Sequence, residues 1–246
     1  WSRSIEAEVY ALNAFIVTLA LRLAVRWAAG KMPVWHAVPA FALLSGIALA
    51  SHLTLGALLL IGTPLLLTTR PRPSFRLLSS ALGLFAAGMG LYLYIPIRWP
   101  AVNHGEIMTP AHFWRFITNA ESGGALRPLA FIQDPARWGI VFHLIQAQVG
   151  WVGILLAVIG LIYLASSILR RRAGFPRWEL ALGTALAFCA WVWFNLSFYV
   201  AEPDYSAFLI PGHVVLIFWL GIGALYLLRW LSKYFSPPYR HPILIT

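Results

Sequence analysis

The 246 residues include 60% hydrophobic and only 11% charged side chains, with a mean hydropathy of +0.76, where a soluble domain carries about 25% charged residues. That balance excludes a water-soluble globule and leaves an integral membrane protein. Continuous apolar runs such as LLSGIALA and GALLLIG exclude the apolar/polar alternation of a lipid-facing β-barrel.

Apolar segments fall at about 7–27, 34–52, 54–69, 75–97, 146–169, 179–200 and 207–229. Each crossing of the hydrocarbon layer takes roughly 20 residues as helix, so the chain reads as an all-α, polytopic transmembrane helical bundle of about seven spans. Only Ser51-His52-Leu53-Thr54 separates the second segment from the third. Charge tests the count. Arg22, Arg26 and Lys31 follow the first segment, Arg70, Arg72 and Arg76 the third, Arg170, Arg171, Arg172 and Arg177 the fifth, and Arg229, Lys233 and Arg240 the seventh. Positive residues mark cytoplasmic connections, and they fall at alternate connections only if 34–69 is a hairpin of two spans.

The same alternation sends the start of the chain, the turn at His52, the connection 98–145 and the short connection near 201–206 to the outer face. Seven of the eight carboxylates then lie there, with Glu179 alone inside. The net charge of +10 does not point to nucleic acid, because the cations punctuate the ends of apolar runs and form no basic stripe. The single cysteine, Cys189, excludes an intrachain disulfide and a cysteine metal cluster. The whole of 1–246 reads as one transmembrane domain, and 98–145 as an outer loop with its own short helix. In that loop MTPAHFWRFITN offers Thr109 as N-cap and Pro110 as first helical residue. Phe113, Trp114, Phe116 and Ile117 give this helix an apolar face suited to the membrane interface. The stretch DPARWGIVFHLIQ restarts a helix that leads into the fifth span.

Polar residues at the outer ends of the spans are the candidates for chemistry, since polar groups near membrane depth are costly and face a cavity or a partner. Glu6 and Glu8 open the first span. Carboxylates at a helix N-terminus cap free amides, and Glu6 reads as such a cap, whereas Glu8 leads directly into the membrane ahead of Tyr10 and Asn13. Tyr10 and Asn13 share a face by their i, i+3 spacing. His52 lies at the outer end of the second span. Arg98 ends LYLYIPIR, where it either snorkels to the interface or holds a lipid phosphate by bidentate hydrogen bonds. Glu202, Asp204 and Tyr205 occupy a short turn set by Pro203, and Asn195 adds a polar group inside the sixth span. The pairs Gly88/Gly90 and Gly221/Gly223 read as helix-packing contacts.

Taken together, WSRSIEAEVYALNAF, GIALASHLTLG, LYLYIPIR, the HFWRFI loop helix and PDYSAFLIP resemble the uncharacterised bacterial membrane family related to the eukaryotic transmembrane protein O-mannosyltransferases, of the GT-C class of glycosyltransferases. The resemblance implies transfer of a mannose-like sugar from a polyprenyl-phosphate donor to a protein or glycan acceptor on the outer face of a bacterial cell membrane. It implies no cofactor and no metal, the lipid-phosphate-linked sugar being itself the donor. It places Glu8, Tyr10 and Asn13 in the site wall, His52 and Arg98 at the donor phosphate, and Asp204 with Tyr205 at the cavity rim. Members of that family carry, ahead of this stretch, an outer loop with an acidic Gly-Asp motif and a His-Pro-Pro-Gly-Tyr-Pro segment. Neither occurs here, so the resemblance implies an N-terminally truncated member whose principal catalytic carboxylate lies upstream. The alternative reading is a polytopic transporter or lipid flippase, which requires a polar path reaching both faces.

Overall fold

The computed structural model describes residues 2–117, 129–167, 178–197 and 209–233, with the side chains of 2–9 outside the described set. Among the described residues, all regular secondary structure is helical. Its elements are α1 (Ser2–Ala28), α2 (Val34–Ser51), a 3-10 turn (Leu53–Ala57) running into α3 (Leu58–Thr68), and α4 (Phe75–Met89) joined by a second 3-10 turn (Gly90–Leu93) to α5 (Tyr94–Val102). Then come α6 (Pro110–Ile117), α7 (Ala130–Gln133), α8 (Ala136–Ala165), α9 (Trp178–Ser197) and α10 (Ile210–Leu231).

Six helical stretches are long and apolar enough to cross a membrane: Tyr10–Ala28, Val34–Ser51, Phe75–Val102, Ala136–Ala165, Trp178–Ser197 and Ile210–Leu231. The remaining predicted segment, Leu53–Thr68, is a shorter apolar helix. A 3-10 turn rises about 2.0 Å per residue and an α-helix about 1.5 Å, so opening with a 3-10 turn stretches this element to roughly 27 Å, close to the hydrocarbon thickness. The protein is thus an integral membrane helical bundle. Large apolar side chains such as Leu82, Val152, Leu155, Ile162 and Leu228 stand exposed along its long helices, which is where lipid chains replace water.

Two ends of the bundle follow from contacts between distant segments. At one end, the Trp191 indole donates to the Thr54 carbonyl (2.8 Å) and the Tyr92 hydroxyl to the Leu49 carbonyl (2.8 Å). Val141, Leu196 and Leu209 form a small buried cluster there, which gathers the start of α8, the end of α9 and the start of α10 beside the His52 turn. At the other end, Trp27, Val38, Leu66 and Leu78 line one apolar cavity of about 340 Å³, gathering the end of α1, the start of α2, the end of α3 and the start of α4. Arg26, Lys31, Arg70, Arg72, Arg76, Arg229 and Lys233 lie at or beyond the helix termini of this second end. We refer to the two as the His52 end and the basic end.

Three element boundaries differ from the sequence reading. α1 begins at Ser2, with no acidic residue in its first turn, so Glu6 lies in the second turn and not at the predicted N-terminal position. The fourth span does not stop at 97: Pro96 and Pro100 are accommodated in a helix that runs to Val102, and the outer connection starts there. The fifth begins at Ala136, ten residues before the predicted 146, and breaks at Gly150 (φ 66°, ψ 174°). A side chain at that φ is strained by its own backbone, so only glycine takes this conformation readily.

The helices meet where side chains are absent. A Cβ on Gly46 would strike the Phe85 carbonyl, and one on Gly88 would meet the Ile47 amide at 2.7 Å, so α2 and α4 touch backbone to backbone. Gly160 faces the Trp219 carbonyl and Gly223 the Leu156 carbonyl, which brings α8 and α10 together in the same way. Gly183 lies against the Ile61 carbonyl, at 2.6 Å from a built Cβ, and seats α9 on α3. Small residues serve this purpose in membranes because no hydrophobic force separates helix from lipid, and close van der Waals contact must supply the attraction. Each predicted glycine pair contributes one packing residue: Gly88 and Gly223 are at contacts, while Gly90 and Gly221 have open space around them. Gly223→Ala is therefore expected to cost about 1–3 kcal/mol by overpacking, whereas Gly221→Ala, two residues away, is expected to leave stability unchanged or raise it by up to about 1 kcal/mol. Unfolding in mixed micelles measures both; equal effects at the two positions would contradict the packing.

Candidate functional site at the His52 end

The turn at His52 is built from its own sequence. Ser51 and His52 end α2, and His52 is extended (φ −160°, ψ 128°), which lets its ring fold over the start of the 3-10 turn. The Thr54 amide donates to Nδ1 (3.4 Å), and the Thr54 hydroxyl lies 2.7 Å from the same atom. Acceptance at Nδ1 leaves the proton of a neutral ring on Nε2. Burial pushes the imidazole below its ordinary pKa by disfavouring the charged form. At neutral pH, His52 is thus a neutral ring that caps a turn and can approach an anion as an N–H donor, not as a cation.

From Thr54 a chain of buried groups runs inward. Its carbonyl takes the Trp191 indole N–H, and the Trp191 carbonyl takes the Asn195 amide (3.0 Å). Trp191 is 1% exposed and Asn195 2%, so both bonds are shielded from water; the first holds α9 against the His52 turn, and the second lies within α9. Gly212 at the start of α10 faces Trp191, the Trp191 Cβ lying 3.9 Å from a built Cβ, which sets His213 beside the same helix. Asn13 is buried in the Ser2-side half of α1, a helix that packs on both α9 and α10.

Arg137, which the sequence reading passes over, is 4% exposed. Its Nε donates to the Asp134 carboxylate and its Nη1 to the Leu196 carbonyl, both at 3.3 Å. The second bond caps the C-terminus of α9, where a cation also complements the helix dipole. The signal for Arg137 in the sequence is the DPAR spacing, which puts Asp134 one turn before it. Deeper hydroxyls satisfy themselves: Thr184 donates to Leu180 O (2.7 Å) and accepts from the Trp219 indole (3.0 Å).

Four buried side-chain atoms meet no hydrogen-bond partner among the described residues: Asn13 Oδ1, Asn195 Oδ1, His213 Nε2 and Trp99 Nε1. All four belong to residues in the half of the bundle nearer His52. A buried polar atom without a partner costs about 1–3 kcal/mol, and each is a place where an ordered water or a ligand can supply the missing bond.

The predicted site residues are placed as follows. Tyr10 is half-buried and Asn13 buried, both on α1. Arg98 is exposed on α5, roughly 9 Å along the helix beyond Tyr92 at 1.5 Å per residue. Since Tyr92 is fastened to Leu49, the joint that carries Arg98 is tied to the helix end that carries His52. Glu8 lies in α1 with its side chain outside the described set, and Asp204 and Tyr205 lie outside the described residues. The loop helix α6 forms as its sequence predicts, with the His112 amide donating to Thr109 Oγ1 (3.2 Å). Its apolar face divides. His112 and Phe116 pack edge-on against Trp99 and Phe113 against Tyr92, while Trp114 is 65% exposed. The structure therefore brings His52, Thr54, Trp191 and Asn195 into one hydrogen-bonded run and seats α6 on the helix carrying Arg98. Sequence reasoning missed Thr54, Trp191, His213 and Arg137. Only His213, a polar residue within an apolar run, carried a signal of the kind used for Asn13. No family model, curated protein or solved structure matches the chain.

The depressed pKa of His52 sets a direction of pH dependence. The unfolded imidazole takes a proton more readily than the folded one, so stability is complete above the ordinary value of 6.5 and declines as pH falls below it. For one proton the slope is at most about 1.4 kcal/mol per pH unit. His52→Asn, which keeps a capping side chain, is expected to flatten the stability curve between pH 7 and 5. An unchanged curve would show that His52 does not carry the effect.

Proposed function

We propose that this chain forms part of a GT-C-class membrane glycosyltransferase that transfers a mannose-like sugar from a polyprenyl-phosphate donor to a protein or glycan acceptor. Two things support the reading: the sequence resemblance, and the presence of unpartnered buried polar atoms on α1, α9 and α10 in the half of the bundle nearer His52. The second carries it. Asn13 Oδ1, Asn195 Oδ1 and His213 Nε2 are hydrogen-bonding atoms held inside an apolar bundle near one membrane surface, and a hydroxyl-rich sugar is a ligand that satisfies several such atoms at once.

The chemistry suits the place. A polyprenyl donor keeps its tail in the bilayer and its phosphate at headgroup level. α4 to α5 run as 28 residues, Phe75–Val102, more than the roughly 20 needed for a crossing, so Arg98 near the far end stands at headgroup level. There its guanidinium holds the phosphate in a bidentate contact, with the His52 ring as an N–H donor. In the transfer step a carboxylate takes the proton of the acceptor hydroxyl. The acceptor oxygen bonds to the anomeric carbon as the bond from that carbon to the phosphate oxygen breaks, and the phosphate leaves with the electron pair. Arg98 stabilises the charge that develops on it. Glu8, Tyr10 and Asn13 form the site wall, and Asp204 with Tyr205 its rim. In this reading the His52 end faces outward and the basic end inward.

The test uses Asn195→Leu in the full-length protein, with the upstream carboxylate that the resemblance implies, reconstituted into vesicles with a polyprenyl-phosphate mannose donor. Removing an unpartnered acceptor at nearly constant volume is expected to leave stability unchanged or raise it. Transfer is expected to fall about 10- to 100-fold, the equivalent of one or two hydrogen bonds to the sugar. Arg98→Ala should weaken donor use by a similar factor. Full-length wild-type protein that transfers no sugar, or full transfer by full-length Asn195→Leu, would overturn the proposal.

A further inference from the structure

A second site lies between the basic-end half of α1 and the first half of α10. α1 and α10 enclose a groove of about 590 Å³, with Arg22, Arg26 and Lys31 on one wall and Val214, Ile217 and Phe218 on the other. The sequence reading treats these cations as topology signals, and a topology signal needs only to sit near a span's end. Their arrangement is more specific. Arg22 and Arg26 are one helical turn apart and both exposed on the same face. At Gly30 (φ 68°) the chain turns, and the Lys31 amide donates to the Arg26 carbonyl (2.9 Å), which brings the third cation back beside the second.

None of the three makes an ion pair among the described residues. Like charges one turn apart repel. Arg22 also lies about 9 Å inside the end of α1 at 1.5 Å per residue, where an uncompensated charge is costly and calls for a counter-ion. The facing wall is apolar, and Ile217 on it is 50% exposed. The groove thus joins a triple positive charge to an apolar surface on the membrane-facing side of the bundle. An anion dissolved in water would use only the first. A lipid with an anionic headgroup uses both, and basic pockets between transmembrane helices on the positively charged side hold such headgroups.

We propose that this groove binds an anionic phospholipid, its phosphate held by Arg22, Arg26 and Lys31 and an acyl chain lying along Val214, Ile217 and Phe218. The site is independent of the sugar-transfer reading, because none of its lining residues belongs to the proposed sugar site. The test is native mass spectrometry of the purified protein exchanged against phosphatidylglycerol and phosphatidylcholine of identical chains. Wild type is expected to retain phosphatidylglycerol preferentially, and Arg22→Gln with Arg26→Gln to reduce that preference about 30-fold. Arg229→Gln with Lys233→Gln, cations of the same end outside the groove, should leave it intact. Ile217→Trp, an apolar change that fills the groove and keeps all three cations, should also abolish the preference and covers the case in which the double arginine variant does not fold. Equal retention of the two lipids by wild type, preference that survives Ile217→Trp, or displacement of the lipid by millimolar inorganic phosphate would overturn the proposal.

Discussion

In hydrocarbon, no water answers an exposed amide or carbonyl, so each segment must close its own backbone hydrogen bonds as helix before it can pack. Once it has done so, lipid is as good a neighbour as leucine, and helices hold together only where their backbones come close. The three contacts at Gly46/Gly88, Gly160/Gly223 and Gly183/Ile61 meet that requirement. They pair α2 with α4, α8 with α10 and α9 with α3, and α1 packs among α2, α3, α9 and α10. The buried apolar set that includes Val17, Ala24, Leu58, Leu65, Leu180 and Val215 fills the space these approaches define.

Close packing leaves the ends to be solved by polar groups. Where helices stop, carbonyls lose their partners, and side chains from neighbouring elements answer them: the Trp191 indole at Thr54 O, Tyr92 at Leu49 O, and Arg137 at Leu196 O. These bonds are all at the His52 end, and they fix the elements on which Asn13, Asn195 and His213 are carried with atoms to spare. The basic end is organised by charge instead, with exposed cations around the helix termini and a groove whose charge no described residue balances. The two ligands we propose answer to this division, a lipid-linked sugar phosphate at the His52 end and an anionic phospholipid at the cations of α1 and the turn after it.

The helices were legible in the sequence because continuous apolar runs of sufficient length admit one structure in a bilayer. Their ends were less so. The apolar run ends at 97, yet the α-helix continues through Pro96 and Pro100 to Val102, after the 3-10 turn at Gly90–Leu93. Gly150 looks like any helix-packing glycine, and only its positive φ distinguishes it. Gly88 and Gly90 are indistinguishable on paper, because which of them meets a neighbour depends on how α4 is rotated against α2. The candidate site was half legible. Asn13, Asn195 and His52 declare themselves as polar groups near membrane depth, but Arg137 reads as a loop residue until α9 brings the Leu196 carbonyl to it. His52 reads as a cation for a phosphate until its burial and its bond to Thr54 are seen.

The central claim is that the polar atoms of the His52 end are held for a lipid-phosphate-linked sugar. Ligand-induced stabilisation measures this without requiring turnover, since a ligand that binds only the folded state raises Tm with concentration. The account predicts that polyprenyl-phosphate mannose raises the Tm of the wild-type protein in detergent, that polyprenyl phosphate raises it less, and that polyprenol does not raise it. Equal shifts for all three lipids, or none, would contradict it.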